Sequence, residues 1–482
     1  MAEAENNLPL YKALIPVIAL VTLLAINVSI FGDDALSGSN QFLLLVGGAV
    51  AAVVGFASKI SFSDMLENVS KNIKSTSGAI LILLFVGALS GTWLIGGIIP
   101  AMIYYGLQIL DPSYFLPACV VICAIISVAT GSSWTTSATV GIALVAIGNS
   151  LGFDSGIVAG AAISGAYFGD KMSPLSDTTN LAPAMAGTDL FTHIKYMGYT
   201  TIPSVIVTLI AFIIIGLTQD VGGTAETSST LTDIEAAFNI TPWVFLVPVI
   251  VIFLIIKKTE PLIALFVGAI LGALSAIIFQ PDVLAKIGGG EVLNFETGYK
   301  GVLNALTVST SVESSNTQLA DLFQAKGMSG MLNTIWLIMC AMVFGGIMEA
   351  IGALATISRS LLSVAKSIFG LFASTVGSCL ALNFTASDQY LAIVIPGKMF
   401  AKAYEEKGLA PENLSRTLED SGTVTSVLIP WNTCGAYQSN VLGVDTMSYV
   451  PYAIFNYVSP IMTLIFAAFR IKIKMLAEAK KD

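Results

Sequence analysis

Two stretches of this 482-residue chain gather hydroxyl and carboxylate side chains between apolar segments. Residues 130–137 read TGSSWTTS, which places six hydroxyls in eight positions. Residues 169–180 read GDKMSPLSDTTN, with Asp170 and Asp177 on either side of Pro174. Proline removes a backbone donor and interrupts a helix, which frees carbonyl oxygens and helix ends to bind an ion. Because small hard cations prefer such oxygen ligands, the two stretches predict a cation site.

The second half of the chain contains a weaker version of both stretches. Residues 385–388 read TASD and residues 430–435 read PWNTCG, with fewer carboxylates and more neutral oxygens. The alternative for residues 169–180 is a cytoplasmic loop in which Asp170 and Lys171 are simply solvated. Ionisable residues inside a membrane are costly and usually functional, which favours the binding interpretation.

The elements that carry these stretches must span a membrane. Hydrophobic residues make up 55% of the chain and charged residues 11%, and the mean hydropathy is +0.83. Such a composition leaves too little polar surface for a soluble globule. Residues 11–31, 41–58, 242–256 and 261–279 carry almost no charge and approach the roughly 20 residues that cross a bilayer as helix. We therefore predict an all-α polytopic membrane protein.

Short matches between the two halves predict an internal duplication. Ser164-Gly165 matches Ser421-Gly422 and Gly187 matches Gly443, at offsets of 257 and 256 residues. Each unit is predicted to contain five spans plus a helical hairpin, with one span broken at a proline. This odd number of crossings would invert the second unit relative to the first. The predicted boundaries are a first repeat at 1–217, an extracytoplasmic linker at 218–241, a second repeat at 242–470 and a cytoplasmic tail at 471–482.

Charge asymmetry and the lack of catalytic motifs refine this prediction. Lysine and arginine cluster on the side of the membrane that contains both termini. By the positive-inside rule this side is the cytoplasm, and we expect the protein in the cell (inner) membrane of a prokaryote. The only histidine, His193, is predicted to be a solvated surface residue, and the five cysteines to be reduced packing residues. There is no HExxH motif, glycine-rich phosphate loop or Ser/His pairing, so we expect neither an enzyme nor a cofactor.

Four motifs in order resemble the NhaC-type Na⁺/H⁺ antiporter family: GSSWTTSATVG, GDKMSPLSDTTNLA, SDQYLAIVIPGKMF and IPWNTCGA. The resemblance spans roughly residues 10–470. It implies that two hairpin tips and two broken helices enclose a site at the membrane midplane, with Asp170 and Asp177 as proposed Na⁺ ligands. The ion or substrate contacts that it implies are Ser132, Ser133, Thr135, Asp170, Asp177, Thr178, Asn180, Asp388, Asn432 and Thr433.

The leading functional hypothesis is secondary active Na⁺/H⁺ antiport, in which both ions compete for the same carboxylates. The alternative is a Na⁺/H⁺-coupled exchanger of organic acids, of the malate/lactate type, or an amino-acid transporter. In that case Lys171 and the helix N-termini would bind the substrate carboxylate. The expected partners are the lipid bilayer, Na⁺, H⁺ and, under the alternative, a small organic anion or amino acid. No nucleic-acid partner is expected, and a homodimer is left open.

Overall fold

The protein is built almost entirely from α-helices, as the sequence predicts. The computed structural model describes residues 8–31, 38–109, 111–219, 224–257, 259–313 and 323–476. Within these ranges the exceptions to helical regular structure are a short antiparallel pair, Thr310–Ser311 with Gln324–Ala325, and one bridge between Leu409 and Met475.

Long apolar helices dominate the part of the chain that the structure describes. Eight of them are long and apolar enough to cross a bilayer: Leu10–Phe31, Ser39–Ala57, Ser77–Ile95, Pro112–Thr130, Leu190–Thr218, Pro261–Phe279, Met328–Ala350 and Ile368–Thr385. Two bent pairs add up to two more candidates: Thr230–Ala237 with Pro242–Ile255, and Thr446–Tyr452 with Ile454–Ala468. Only a third of the most apolar window of Leu190–Thr218 is buried inside the protein, so most of its surface is available to lipid.

Further helices, together with the α-helical parts of the composite spans above, complete the structure. The α-helices are Phe62–Ser75, Ile98–Ile109, Ser133–Thr136, Ile142–Ser150, Ser155–Met172, Asp177–Ala186, Thr224–Ala237, Leu246–Ile256, Pro281–Ile287, Phe295–Thr307, Leu332–Ala350, Ala353–Ser363, Gln389–Glu406, Pro411–Leu418, Thr433–Leu442, Thr446–Tyr449 and Ile454–Ala468. The π-helical turns are Ser137–Gly141 and Glu419–Thr423, and the 3₁₀ turns are Pro242–Phe245, Met328–Met331, Ser426–Leu428 and Val450–Tyr452.

Two helical hairpins turn at tips with the same local geometry. Tip 1 (residues 131–132) follows Pro112–Thr130, and tip 2 (residues 386–388) follows Ile368–Thr385. At each tip a left-handed residue is followed by a side chain that caps the next helix. The left-handed residues are Gly131 (φ 70°) and Ser387 (φ 59°), and the caps are Ser132 and Asp388. Each pair is 256 positions apart, which extends the spacing found in the sequence.

The two broken helices also repeat one another. Break 1 (residues 173–176) and break 2 (residues 424–432) are each followed by a ten-residue helix. Both helices begin at a side-chain cap and end at a left-handed glycine, at positions 256 apart: Ser176 and Asn432, then Gly187 and Gly443. This agreement supports a duplication, while the inverted orientation of the two units remains a prediction.

Break 2 is wider than the sequence predicts. We expected one interruption at Pro430, as at Pro174 in break 1. Instead, the α-helix Pro411–Leu418 gives way to the π-turn Glu419–Thr423 before the break begins. Non-α backbone then continues to residue 432. The hydroxyl-rich run after residue 420 explains this difference, because serine and threonine hydroxyls compete for helix carbonyls.

The predicted domain boundaries remain predictions. The linker 218–241 includes the helix Thr224–Ala237, but residues 220–223 lie outside the described residues. The same is true of residues 477–482 of the predicted cytoplasmic tail.

Cysteine labelling checks the predicted topology. Lys71 is exposed on Phe62–Ser75 and Ala236 is exposed in the linker. All five native cysteines are buried, so background labelling should be low. In intact cells a membrane-impermeant maleimide should label Ala236→Cys, and it should label Lys71→Cys only after permeabilisation. Labelling of Lys71→Cys in intact cells would show that the orientation is opposite to the predicted one.

Candidate functional site

A cavity of about 450 Å³ lies between the two tips and break 1. Tip 1 contributes Ser132 and tip 2 contributes Asp388 to its wall. Asp170, at the end of Ser155–Met172, and residues 175–178 form the side next to break 1. Thr433, the first residue of the helix after break 2, also reaches the wall. Residues of both predicted repeats therefore meet at one cavity.

Asp170 is the best-defined carboxylate of this cavity. Its side chain is 9% exposed, and its Oδ2 atom accepts hydrogen bonds from the Ser133 backbone N–H at 3.1 Å and the Ser133 hydroxyl at 2.7 Å. Ser133 is the first residue of the short helix after tip 1, where backbone N–H groups are free to bind an anion. Tip 1 thus orients the Asp170 carboxylate without supplying a compensating positive charge.

The lining of the cavity is acidic. Asp388 accepts hydrogen bonds from the backbone N–H groups of two following residues and still reaches the cavity. Asp177, which is exposed, and Glu260 add two further carboxylates. With Asp170 this makes four carboxylates, and neither lysine nor arginine is found among the described lining residues. Such a wall attracts cations and repels anions.

Direct contacts hold each tip against its own break. The backbone of tip 1 approaches Leu175 so closely that a Cβ atom at Gly131 would lie 2.6 Å from the Leu175 Cβ. In the second half, the Thr433 N–H donates to the Ser387 carbonyl at 3.0 Å, and the Trp431 indole donates to the Phe384 carbonyl at 2.9 Å. Each tip is therefore packed against the broken helix of its own half.

One aromatic contact joins the two halves beside the cavity. The Trp134 and Tyr437 rings are stacked with centroids 3.9 Å apart. The Tyr437 hydroxyl also donates to the Trp134 carbonyl at 3.0 Å. Since Trp134 lines the cavity, this contact is part of its wall.

A buried ion pair that the sequence analysis missed lies behind break 1. The Lys171 ammonium donates to the Asp420 Oδ1 atom, and both side chains are fully buried. The hydroxyls of Thr200, Ser459 and Thr463 also donate to the Asp420 carboxylate. Two alternatives from the sequence, a solvated Lys171 and a Lys171 that binds a substrate carboxylate, are therefore both wrong.

Glu419, next to Asp420, was also missed. Its Oε1 atom accepts a hydrogen bond from the Thr178 hydroxyl at 3.0 Å, and its side chain is fully buried. The available signal was two adjacent carboxylates directly before Ser421-Gly422, one of the matches that define the repeat. A membrane segment with two neighbouring acids is unusual enough to suggest function.

The predicted site residues separate into three groups. Six of the ten line the cavity: Ser132, Asp170, Asp177, Thr178, Asp388 and Thr433. Ser133 does not line the cavity, but its hydroxyl donates a hydrogen bond to Asp170. The remaining three make local contacts instead: Thr135 donates to Ser132, Asn180 donates to the carbonyls of Pro174 and Ser176, and Asn432 caps its helix and donates to Asn383. Pro430 borders a separate cavity of about 240 Å³.

The prediction for His193 was wrong. The side chain is fully buried, and its Nδ1 atom lies 2.9 Å from the Ser415 hydroxyl. Asp189 caps the helix Leu190–Thr218, and the first turns of that helix pack against Pro411–Leu418. A polar sequence here marks the contact between two helices rather than a solvated surface.

Comparison with known proteins identifies the family. The profile of the Na⁺/H⁺ antiporter family matches residues 165–471. Over 88% of both chains, the protein is 37% identical to the Na⁺/H⁺ antiporter NhaC of Alkalihalophilus pseudofirmus. The chain belongs to the Na⁺/H⁺ antiporter family. The resemblance of the four sequence motifs is thereby confirmed.

Other relatives in the same range of identity carry different names. The malate-2H⁺/Na⁺-lactate antiporter of Bacillus subtilis is 34% identical over 96% of this chain and 95% of its own length. The arginine/ornithine antiporter ArcD of Halobacterium salinarum is 33% identical over 96% of this chain and 92% of its own length. The Na⁺/H⁺ antiporter family is thus a family of transporters and not of enzymes. Which solute this member carries is argued from the site.

Glycine substitutions test the contact between tip 1 and break 1. Gly131 and Gly187 both end a helix with positive φ, but a Cβ atom at Gly187 meets nothing within 4 Å. Gly187→Ala should cost only the left-handed backbone strain, about 1–2 kcal/mol. Gly131→Ala should lower the thermal unfolding midpoint of the purified protein further, because it also displaces Leu175. Equal midpoints for the two variants would show that the tip is not held against the break.

A double-mutant cycle tests the buried ion pair. Lys171→Met and Asp420→Asn should each destabilise the protein by about 3–5 kcal/mol, because each leaves one buried charge without its partner. The double variant should recover much of this loss, measured by the thermal unfolding midpoint in detergent. Strictly additive losses would mean that the two charges do not interact.

Proposed function

We propose that this protein exchanges Na⁺ for protons across the membrane at the cavity between the tips. The observation that carries the proposal is the Asp170 carboxylate, which is buried beside an acidic cavity and held by the Ser133 hydroxyl and N–H rather than by a cationic side chain. Membership of the Na⁺/H⁺ antiporter family supports it independently.

Competition for one carboxylate is sufficient to couple the two ions. A desolvated carboxyl group favours its neutral, protonated form, whereas a bound cation favours the ionised form. Na⁺ entering the cavity would therefore displace a proton from Asp170, and a proton would release Na⁺. If the site opens alternately to the two sides, each passage exchanges one ion for the other. No cofactor is required for this cycle.

The cavity offers further oxygen ligands around Asp170. Ser132 and the Asp388 carboxylate line the same space. Asp177 lies at an exposed position of the wall, where it would attract Na⁺ before it reaches Asp170. We assign Asp170 as the exchanging group, with Asp177 and Asp388 as supporting Na⁺ ligands.

Alternating access would follow from the paired tips and breaks. Each tip is attached to its own break, so a hairpin and its broken helix can move as one body relative to the spans around them. Inverted repeats would give the two states related geometry. We also propose that the protein lies in a prokaryotic inner membrane with both termini in the cytoplasm. The proposal holds for a monomer and for a homodimer.

Exchange of a cationic organic solute is the second candidate. A cavity of about 450 Å³ is larger than one Na⁺ needs and lies within the range of small-molecule sites. An acidic wall suits a cation such as arginine or ornithine, which are the solutes in the name of one relative. The organic-acid alternative is less well supported, because the Lys171 charge that it relied on is paired with Asp420.

Substitution of Asp170 tests the main proposal. Asp170→Asn keeps the shape and can still accept a hydrogen bond from Ser133, but it can neither titrate nor provide an anionic ligand. Na⁺-driven proton flux in proteoliposomes should fall at least tenfold, equivalent to about 1.4 kcal/mol. The measurement is the dissipation of an imposed pH gradient after Na⁺ addition, without an organic solute present.

Asp111→Asn is the matched control. Asp111 caps Pro112–Thr130 outside the cavity, and hydrogen bonds from Ser113 lower the pKa of its carboxyl group. Asp111 is therefore ionised at neutral pH, and its replacement should leave the flux close to the wild-type rate. Wild-type flux in a folded Asp170→Asn protein would rule out Asp170 as the exchanging group. Arginine or ornithine counterflow by a wild-type protein without Na⁺/H⁺ exchange would support the second candidate instead.

A further inference from the structure

A buried carboxyl group lies directly behind the cavity wall without lining it. Glu419 is the first residue of the π-turn Glu419–Thr423 and is fully buried. Its Oε1 atom accepts a hydrogen bond of 3.0 Å from the Thr178 hydroxyl. Thr178 lines the cavity, so Glu419 is hydrogen-bonded to a residue of the cavity wall.

The environment of the second carboxyl oxygen of Glu419 favours a protonated carboxyl group. Among the described residues the Glu419 Oε2 atom makes no hydrogen bond of normal geometry, and neither does the buried hydroxyl of Thr423, which interacts with the Glu419 side chain and carries no charge. An ionised carboxylate left in this state costs several kcal/mol, whereas a protonated carboxyl group is neutral and can itself donate. The pocket around Glu419 is therefore suited to a carboxyl group that carries a proton for part of the cycle.

Charged neighbours do not give Glu419 a permanent counter-ion. Asp170 and Lys171 act on it electrostatically from Ser155–Met172, but the Lys171 charge is already paired with Asp420. Cys379 lies near it on Ile368–Thr385 as a neutral thiol.

The remaining helices packed around the π-turn add no closer charge. The lysine and glutamate side chains of Gln389–Glu406 are exposed, and Ile454–Ala468 contains no charged residue. Asp177, on Asp177–Ala186, is exposed at the cavity. On Pro411–Leu418, Arg416 is fully buried, but its guanidinium lies 4.6 Å from the Tyr196 ring and donates to the Lys472 carbonyl at 3.4 Å. Glu412, which is also buried on this helix, pairs with Lys474. Within the described residues, a proton is thus the simplest group that can neutralise Glu419.

A hydroxyl relay can deliver that proton. The Thr178 Oγ1 atom lies 3.2 Å from the Ser176 Oγ atom as well as 3.0 Å from Glu419. When Thr178 passes its hydroxyl proton to the Glu419 carboxylate, its oxygen takes a proton from Ser176, which takes one from water in the cavity. One proton has then moved from the cavity to Glu419, and both hydroxyls are restored.

We propose that Glu419 is a second proton-carrying group of this transporter, loaded from the cavity through Thr178. The proposal rests on Na⁺/H⁺ exchange at Asp170 and adds a proton site that Na⁺ does not occupy. Two protons would then move against each Na⁺, and the exchange would carry net charge.

The test measures ion stoichiometry and Na⁺ binding separately in proteoliposomes. Radioactive Na⁺ uptake and proton flux are recorded together, and Na⁺/Na⁺ exchange, which moves no proton, is recorded alone. In Glu419→Gln we expect Na⁺/Na⁺ exchange to persist, the proton-to-Na⁺ ratio to fall about twofold, and the dependence of exchange on membrane potential to disappear. An unchanged ratio in Glu419→Gln overturns the proposal. Loss of Na⁺/Na⁺ exchange in a folded variant also overturns it, because Glu419 would then be a Na⁺ ligand.

Variants of the relay keep the test decisive if Glu419→Gln does not fold. Thr178→Val removes the hydroxyl and should slow proton flux at least tenfold relative to Thr178→Ser, which retains the hydroxyl, while Na⁺/Na⁺ exchange should be similar in the two variants. Thr208→Val is the control, because Thr208 is equally buried but its hydroxyl bonds only to a carbonyl of its own helix. Equal proton flux in Thr178→Val and Thr178→Ser overturns the relay. Failure of the underlying Na⁺/H⁺ exchange would appear in the wild-type protein itself, which separates it from failure of this inference.

Discussion

The cost of burying charge governs the centre of this protein. Four carboxyl groups of the described residues are buried around breaks and tips: Asp170, Asp388, Glu419 and Asp420. A single buried lysine of the same region, Lys171, is paired with Asp420. An uncompensated charge in a low-dielectric interior costs several kcal/mol, which favours the binding of cations or protons at the other three groups. A site that is stable only when a cation or proton occupies it is well suited to exchanging one for the other.

The fold provides what such a site needs at helix ends. Each tip directs backbone N–H groups towards a carboxylate, at Asp170 through Ser133 and at Asp388 through its own helix. Each break frees backbone groups inside the protein, where only a cavity or a protein partner can satisfy them. The same arrangement occurs twice at a spacing of 256 residues, which supports the predicted duplication.

The sequence predicted the general design better than the details. Long apolar segments and hydroxyl-rich tips are local signals, so the helices, the tips and break 1 could be located from the sequence alone. The contacts of Glu419, of the Lys171–Asp420 pair and of buried His193 join residues more than 200 positions apart, so no local pattern predicts them. The adjacent acids Glu419 and Asp420 were a local signal, but they did not indicate these partners. Asn180 and Asn432 were predicted as contacts from the resemblance to the antiporter family. In the structure both side chains donate to backbone carbonyls, and Asn432 also caps its helix.

Proton release on Na⁺ binding tests the central claim most directly. Purified protein in weakly buffered detergent solution would be titrated with NaCl near neutral pH, with choline chloride as the control for ionic strength, while the pH of the solution is recorded. Competition at a buried carboxylate predicts that Na⁺ releases protons and that its apparent affinity falls as the pH is lowered. Saturable Na⁺ binding without proton release, and with the same affinity across this pH range, would contradict the account.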